Sequence, residues 1–135
     1  MEELFRVLPQ YDIVTISGLA PGVDTMCHEM SILANIPTIA VLGGGLQYFL
    51  KSGNREFIHK IVDNGGLVLS EFDLDKQPER YTFPQRNRIV AGLSECVFLP
   101  EAGEKSGSLI TADFARQVHK PVYGVPSSIF SSSSR

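Results

Sequence analysis

Short apolar runs rich in valine, isoleucine and leucine alternate with longer amphipathic stretches along most of the chain. The runs lie at residues 11–16, 38–42, 67–69, 96–99 and 122–125. Helical spacing of apolar residues occupies 22–35, 54–63, 84–93 and 108–118 between them. Continuous apolar strands separated by helices are typical of a parallel sheet covered on both faces. We therefore predict an α/β fold with a doubly wound, mostly parallel sheet of the Rossmann-like type and helices on both faces.

The length of 135 residues is enough for one domain with a buried core. We predict that this domain spans 1–126 and that 127–135 forms a flexible polar tail, because the last residues are mostly serine. Domains of this type usually open with a strand and a crossover helix. Only one helical turn precedes the run at 11–16, so we expect the first strand of the fold to be missing.

Composition narrows the class of protein. No apolar run approaches the ~20 residues of a membrane helix, and the start lacks the pattern of a signal peptide, so we predict a cytoplasmic protein with no membrane partner. Cys27 and Cys96 lie far apart without metal-ligand spacing, so we predict reduced thiols, no metal and no cofactor. The formal net charge of −3 argues against a uniformly basic surface but is compatible with a local basic groove.

The segment 83–94 carries the strongest functional signal. Phe83 offers a flat face for stacking, Arg86 and Arg88 offer planar charged groups suited to phosphate, and Asn87 can donate and accept. If Pro84 opens a helix, these groups sit on its first turn, which favours anions. A phosphate chain with attached bases is the simplest ligand. The alternative is a surface helix whose arginines form salt bridges.

Loops rich in glycine and small polar residues follow the predicted strands and should meet at one edge of the sheet. They include Ser17 and Gly18, the run Gly43, Gly44 and Gly45, and the run Lys105, Ser106, Gly107 and Ser108. The residue order in these loops matches neither the dinucleotide-binding fingerprint nor the P-loop. The alternative to ligand contact is that the loops form only tight turns and helix caps. Asp24 and His28 are four residues apart on one helix, and packing is favoured there over a proton relay. No catalytic residue is predicted.

Six ordered motifs over residues 17–126 resemble the DNA-processing protein A (DprA/Smf) family, whose domain is an extended, SLOG-like Rossmann fold. They lie at 17–28, 38–46, 65–71, 83–94, 101–112 and 125–126. The resemblance implies a non-enzymatic protein that binds incoming single-stranded DNA in natural transformation and assists RecA loading, with a homodimer as a further expectation. It also implies that Phe83 stacks a base and that Arg80, Arg86 and Arg88 line the phosphate path. The loops Gly43–Gly45 and Ser106–Ser108 would then offer backbone N–H groups.

The chain also departs from the family pattern. Pro21 stands where most members have arginine. The Gly-Ser-Arg strand that family members carry before this region is not found in the sequence. Other functions stay open on this basis: a nucleotide-binding Rossmann sensor, a phosphoribohydrolase-like enzyme, or a remnant that acts through protein contacts. The segment 101–108 lacks the Pro-Gly-Gly-x-Gly-Thr pattern of the phosphoribohydrolases, which speaks against the enzyme.

Overall fold

A computed structural model describes residues 2–99 and 107–124. Short helices and strands alternate along these ranges. In chain order they are α1 (Glu2–Val7), a 3-10 turn (Leu8–Gln10), β1 (Thr15–Ser17), α2 (Val23–Leu33), β2 (Thr38–Val41), α3 (Leu46–Leu50), α4 (Arg55–Asp63), β3 (Leu67–Leu69), α5 (Thr82–Leu93), β4 (Val97–Leu99), α6 (Gly107–Gln117) and β5 (Val122–Gly124). The predicted alternation of strands and helices is confirmed.

The contacts of the chain group into two compact units, Met1–Arg86 and Asn87–Arg135. The first unit holds a three-stranded parallel sheet in the order β1-β2-β3, with Thr15 opposite Thr38 and Ile39 opposite Leu67. The second holds the parallel pair β4-β5, with Val97 opposite Val122. Every described strand pair is parallel, as the continuous apolar runs predicted. The domain boundary at residue 126 lies outside the described residues and stays a prediction.

The core of the first unit lies between β2 and the helices that cover it. Its fully buried members include Ala40, Leu42 and Ile61, and Phe49 and Ile58 pack on them. In the second unit a smaller core joins α5, β4 and α6 through Ala91, Val97 and Ala115. Within that unit the Lys120 ammonium donates to the carbonyl oxygen of Gly92.

Helix ends follow local chemistry. Helix α4 ends before a glycine pair: Gly65 has φ +82°, a conformation glycine adopts without strain, and the N–H of Gly66 donates to the carbonyl of Ile61 at 2.9 Å. Helix α5 begins at Thr82, two residues before the predicted Pro84. The Thr82 hydroxyl donates to the carbonyl of Glu79 and accepts from its N–H, both at 2.8 Å, which fixes the earlier start.

Candidate nucleic-acid interface

The start of α5 presents one exposed aromatic ring. Phe83 is 39% exposed. Its ring packs on Gly43, where an added Cβ would lie 2.6 Å from Phe83 Cδ1, and the Arg86 guanidinium carbon is 5.7 Å from its centroid. The ring is therefore held by its neighbours while part of it faces solvent. A fixed, partly exposed ring is the arrangement that base stacking needs.

Arg86 lies inside the first unit rather than on its surface. Only 3% of it is exposed, and its Nη1 donates to the carbonyl oxygens of Gly18 and, at 2.8 Å, of Val41. Burial lowers the pKa of Arg86, and the charge of Asp24 opposes that shift. The expectation of an Arg86 guanidinium open to phosphate on the first turn of the helix is thus corrected. The guanidinium joins the carboxyl ends of β1 and β2.

The loop Gly43–Gly45 is covered by its own chain. All three glycines are buried, and the Gly45 N–H donates to the carbonyl of Lys76 at 2.8 Å. A Cβ at Gly45 would collide with the carbonyl oxygens of Asp73 and Leu74. The expectation that this loop offers its N–H groups to nucleic acid is therefore wrong for Gly45. The lack of side chains lets the segment 73–78 and Phe83 approach closely.

The loop after β1 is closed by Asp24. The Ser17 hydroxyl donates to its carboxylate at 2.6 Å, and the N–H of Ala20 donates to the other oxygen at 3.2 Å. Ser17 is therefore engaged within the loop. Gly18 is buried, and its carbonyl accepts from Arg86. These contacts fix the backbone of the predicted loop from within.

Behind this loop, His28 is packed in the interior, which is the role that the sequence favoured over a proton relay. It is fully buried, and its Nδ1 lies 2.8 Å from the Thr38 hydroxyl, while Nε2 has no hydrogen-bond partner among the described residues. Burial lowers the pKa of His28 to about 4; the charge of Asp24 opposes this shift, and that of Arg86 adds to it. His28 is therefore neutral at pH 7, which does not suit a proton relay near neutrality.

A line of hydroxyl groups continues from His28. Thr15 donates to Thr38 at 2.7 Å and lies 2.7 Å from the Ser31 hydroxyl, which donates to the carbonyl of Cys27 at 2.7 Å. Ser31 and Thr38 are fully buried. The line ties α2 to the paired strands β1 and β2.

A cavity of about 560 Å³ opens next to Phe83 within the first unit. Four segments line it: the loop 18–22, one face of α2, Phe49 and Asn54, and Phe83 itself. This cavity has no signature in the sequence, because its walls come from segments far apart in the chain. A cavity beside an exposed aromatic ring is a common form of ligand site.

A cluster that the sequence did not indicate precedes α5. The Lys76 ammonium donates to the Tyr81 hydroxyl at 2.8 Å and pairs with Glu79 at 3.3 Å. These hydrogen bonds, first that of Tyr81, raise the pKa of Lys76. Tyr81 is 55% exposed, and Arg80 beside it is also exposed. Contact of Arg80 with phosphate stays a prediction.

The remaining predicted residues belong to the second unit. Arg88 is exposed and Asn87 half-buried on α5, and each takes part in an interaction within the structure. Lys105 and Ser106 lie outside the described residues. Helix α6 begins at Gly107, followed by Ser108, close to the predicted start of that helix. Whether any of these residues contacts a ligand stays a prediction.

Within 2–99 and 107–124, no group of three or more His, Cys, Asp or Glu side chains could hold a metal ion. None of the helices described there has the length and apolar character needed to cross a membrane.

Comparison with known proteins decides the family. Residues 1–135 match the sequence model of the family described as DNA recombination-mediator protein A. The chain belongs to this family. The resemblance to the DprA/Smf proteins is thereby confirmed.

Curated relatives include the DNA processing protein DprA of Streptococcus pneumoniae, 42% identical over 118 residues, and the protein Smf of Escherichia coli, 42% identical over 117 residues. These alignments cover 87% and 86% of this chain but 42% and 31% of the relatives. The chain thus spans less than half the length of these two proteins.

Solved structures agree on the fold. DNA processing protein A of Streptococcus pneumoniae aligns with a TM-score of 0.82 and 36% identity, over 98% of this chain and 47% of that one. The protein of the same name from Helicobacter pylori, described for its unique single-stranded DNA binding mode, aligns with a TM-score of 0.83 and 35% identity, over 98% of this chain and 60% of that one. The Rossmann-like fold is confirmed.

Proposed function

We propose that this chain binds single-stranded DNA through the part of its first unit that carries Phe83, as a DNA-processing protein of natural transformation. The observation that carries the proposal is the Phe83 ring, 39% exposed and fixed against Gly43 and Arg86. Stacking on such a ring is tolerant of sequence, because every base has a flat π face. The described single-stranded DNA binding mode of the Helicobacter pylori relative supports the same choice.

The residues divide into two roles. Phe83 stacks a base, and the exposed Arg80, three residues before it, attracts the phosphate chain. Arg86 acts as a positioning residue, because its guanidinium is occupied by the carbonyls of Gly18 and Val41 and lies close to the Phe83 ring. No catalytic step is part of the proposal.

We also propose partners and a location for this activity. Its description as a recombination mediator supports assistance to a recombinase, and we propose RecA, with a homodimer as the assembled form. We place this activity in the cytoplasm, where reduced thiols persist, consistent with the free Cys27 and Cys96. The rate of RecA filament assembly with and without the chain tests the first proposal, and light scattering tests the second.

A binding titration tests the DNA proposal. Fluorescently labelled dT12 is titrated at two salt concentrations with wild type, Phe83→Ala and Phe83→Tyr. Loss of stacking in Phe83→Ala should weaken binding by ~1–3 kcal/mol, or roughly 5- to 150-fold, and Phe83→Tyr should retain it. Tyr11→Ala, which removes another exposed ring of the first unit, is the matched control.

A second pair of variants tests the charge. Arg80→Gln should weaken binding and reduce its salt dependence, and Arg55→Gln, an exposed arginine on α4, should change neither. Unchanged dT12 binding by Phe83→Ala would sink the proposal. Binding of a mononucleotide but not of dT12 would favour the sensor, and release of free base from a nucleoside monophosphate would favour the enzyme.

A further inference from the structure

The cavity beside Phe83 has an unusual lining for a site on a DNA-binding surface. Within the described part of the chain, no lysine, arginine or histidine lines it. Phosphate needs cations or N–H donors, and the nearby Arg86 directs Nη1 to the carbonyls of Gly18 and Val41. The described side chains that line the cavity thus offer no positive charge to a phosphate group.

Each polar side chain in the cavity wall offers a hydrogen-bond acceptor. The Thr25 hydroxyl donates its only proton to the carbonyl of Ala20 at 2.9 Å, so it can only accept from a ligand. The Asn54 amide nitrogen donates one of its two protons to the Ser52 hydroxyl at 3.3 Å, and Asn54 Oδ1 is available as an acceptor. Glu29, exposed on the same face of α2, adds a carboxylate.

The rest of the wall is apolar and suits a flat ring. Phe83 forms one side, Leu19 and Phe49 are buried in the wall, and Met26 is 46% exposed. Pro21 adds a further apolar group at the loop. A planar heterocycle with N–H donors on its edge matches both the apolar and the acceptor surfaces.

We propose that this cavity takes the base of one nucleotide of the bound strand and prefers guanine to thymine. Guanine presents N1–H and N2–H₂ side by side, and a carboxylate such as that of Glu29 accepts both. Thymine presents one N–H between two carbonyl oxygens, so it offers the Glu29 carboxylate a single donor flanked by acceptors. The inference rests on the proposed function, because it concerns which base binds at the same DNA-binding site.

The experiment compares oligonucleotides that differ at one position. The chain is titrated with labelled dT12 and with the same 12-mer carrying a single central dG, dI or dA. Because a doubly accepted base edge discriminates by ~1–3 kcal/mol, the dG strand should bind about five-fold tighter than dT12 or better. The dI strand, which lacks the 2-amino group, should lie between them, and the dA strand should be close to dT12.

Two variants locate the preference. In Glu29→Gln the ratio of the dissociation constants for dT12 and the dG strand should fall to about one. Glu56→Gln removes an exposed carboxylate from α4, outside the cavity, and should keep the wild-type ratio. Equal affinities in wild type, equal gains from dG and dA, or an unchanged ratio in Glu29→Gln would overturn the inference. If dT12 binding depends on Phe83 in those cases, the proposed function stands and only the base preference fails.

Discussion

The Nη1 atom of Arg86 lies 2.8 Å from the carbonyl oxygen of Val41, to which it donates a hydrogen bond. The same nitrogen donates to Gly18, so one charged group joins the ends of two neighbouring strands. A buried guanidinium that satisfies backbone carbonyls loses water but leaves fewer polar groups unpaired. The residue with the strongest signal for phosphate is therefore a structural connection within the sheet edge.

Removing this connection should destabilise the fold. Arg86→Met leaves the carbonyls of Gly18 and Val41 without this donor, so we expect a loss of about 2–4 kcal/mol in the free energy of unfolding. Urea denaturation measures it. Arg55→Met, at an exposed position of α4, is the control and should cost less than about 0.5 kcal/mol. Equal stability of the two variants would contradict the structural role.

Close packing around the loop Gly43–Gly45 predicts that a larger residue at Gly45 destabilises the fold. Gly45→Ala places a methyl group against the backbone oxygens of Asp73 and Leu74, which cannot move aside as a side chain can. We expect a loss of about 1–3 kcal/mol, as for other overpacked sites. Gly53→Ala, with open space around its Cβ, should be close to neutral in the same thermal or urea measurement. A neutral Gly45→Ala would show that the segment 73–78 is loosely attached.

The buried imidazole predicts a pH dependence. The pKa of His28 falls from 6.5 in the unfolded chain to about 4 in the fold, so the unfolded state binds more protons between these values. Its contribution to stability is full above pH 6.5 and is lost as the pH falls towards 4, by up to about 3 kcal/mol. His28→Gln should flatten the slope of unfolding free energy against pH over this window. His59→Gln, at an exposed position of α4, should keep the wild-type slope.

The two thiols should differ in reactivity. Burial raises the pKa of Cys27, which lowers its thiolate fraction, whereas Cys96 is exposed. In Ellman's assay we expect Cys96→Ser to react slowly until denaturant is added and Cys27→Ser to react quickly. Rapid labelling of the folded Cys96→Ser variant would contradict the burial of Cys27.

Some of this structure could be predicted because its signals are local. Strand β3 matches its predicted residues 67–69, and α4 ends at Asp63 before the glycines, since continuous apolar residues and glycine stops act over a few positions. Helix α3 was missed, because a five-residue helix that follows three glycines has too little periodicity to be recognised. Local patterns were thus sufficient to predict the fold class but not short connecting elements such as α3.

The site was less predictable because its partners are distant in sequence. Arg86 meets carbonyls 68 and 45 residues away, and a backbone carbonyl has no signature in the sequence. The cover over Gly45 comes from residues 73–76, whose composition is that of an ordinary polar loop. The flat face of Phe83 could be read from the sequence, but its partial exposure could not, because it depends on packing against Gly43.

The hydroxyl line of Thr15, Ser31 and Thr38 has a consequence for how the strands find each other. Thr15 lies opposite Thr38, and a shift of β1 by one residue would bring Ile16 to that place and turn its side chains to the other face. The Thr15 hydroxyl would then lose its contacts with the buried hydroxyls of Ser31 and Thr38 at once. The polar line therefore acts as a check on alignment during folding: it penalises a misaligned β1 that an apolar layer of similar volume would tolerate.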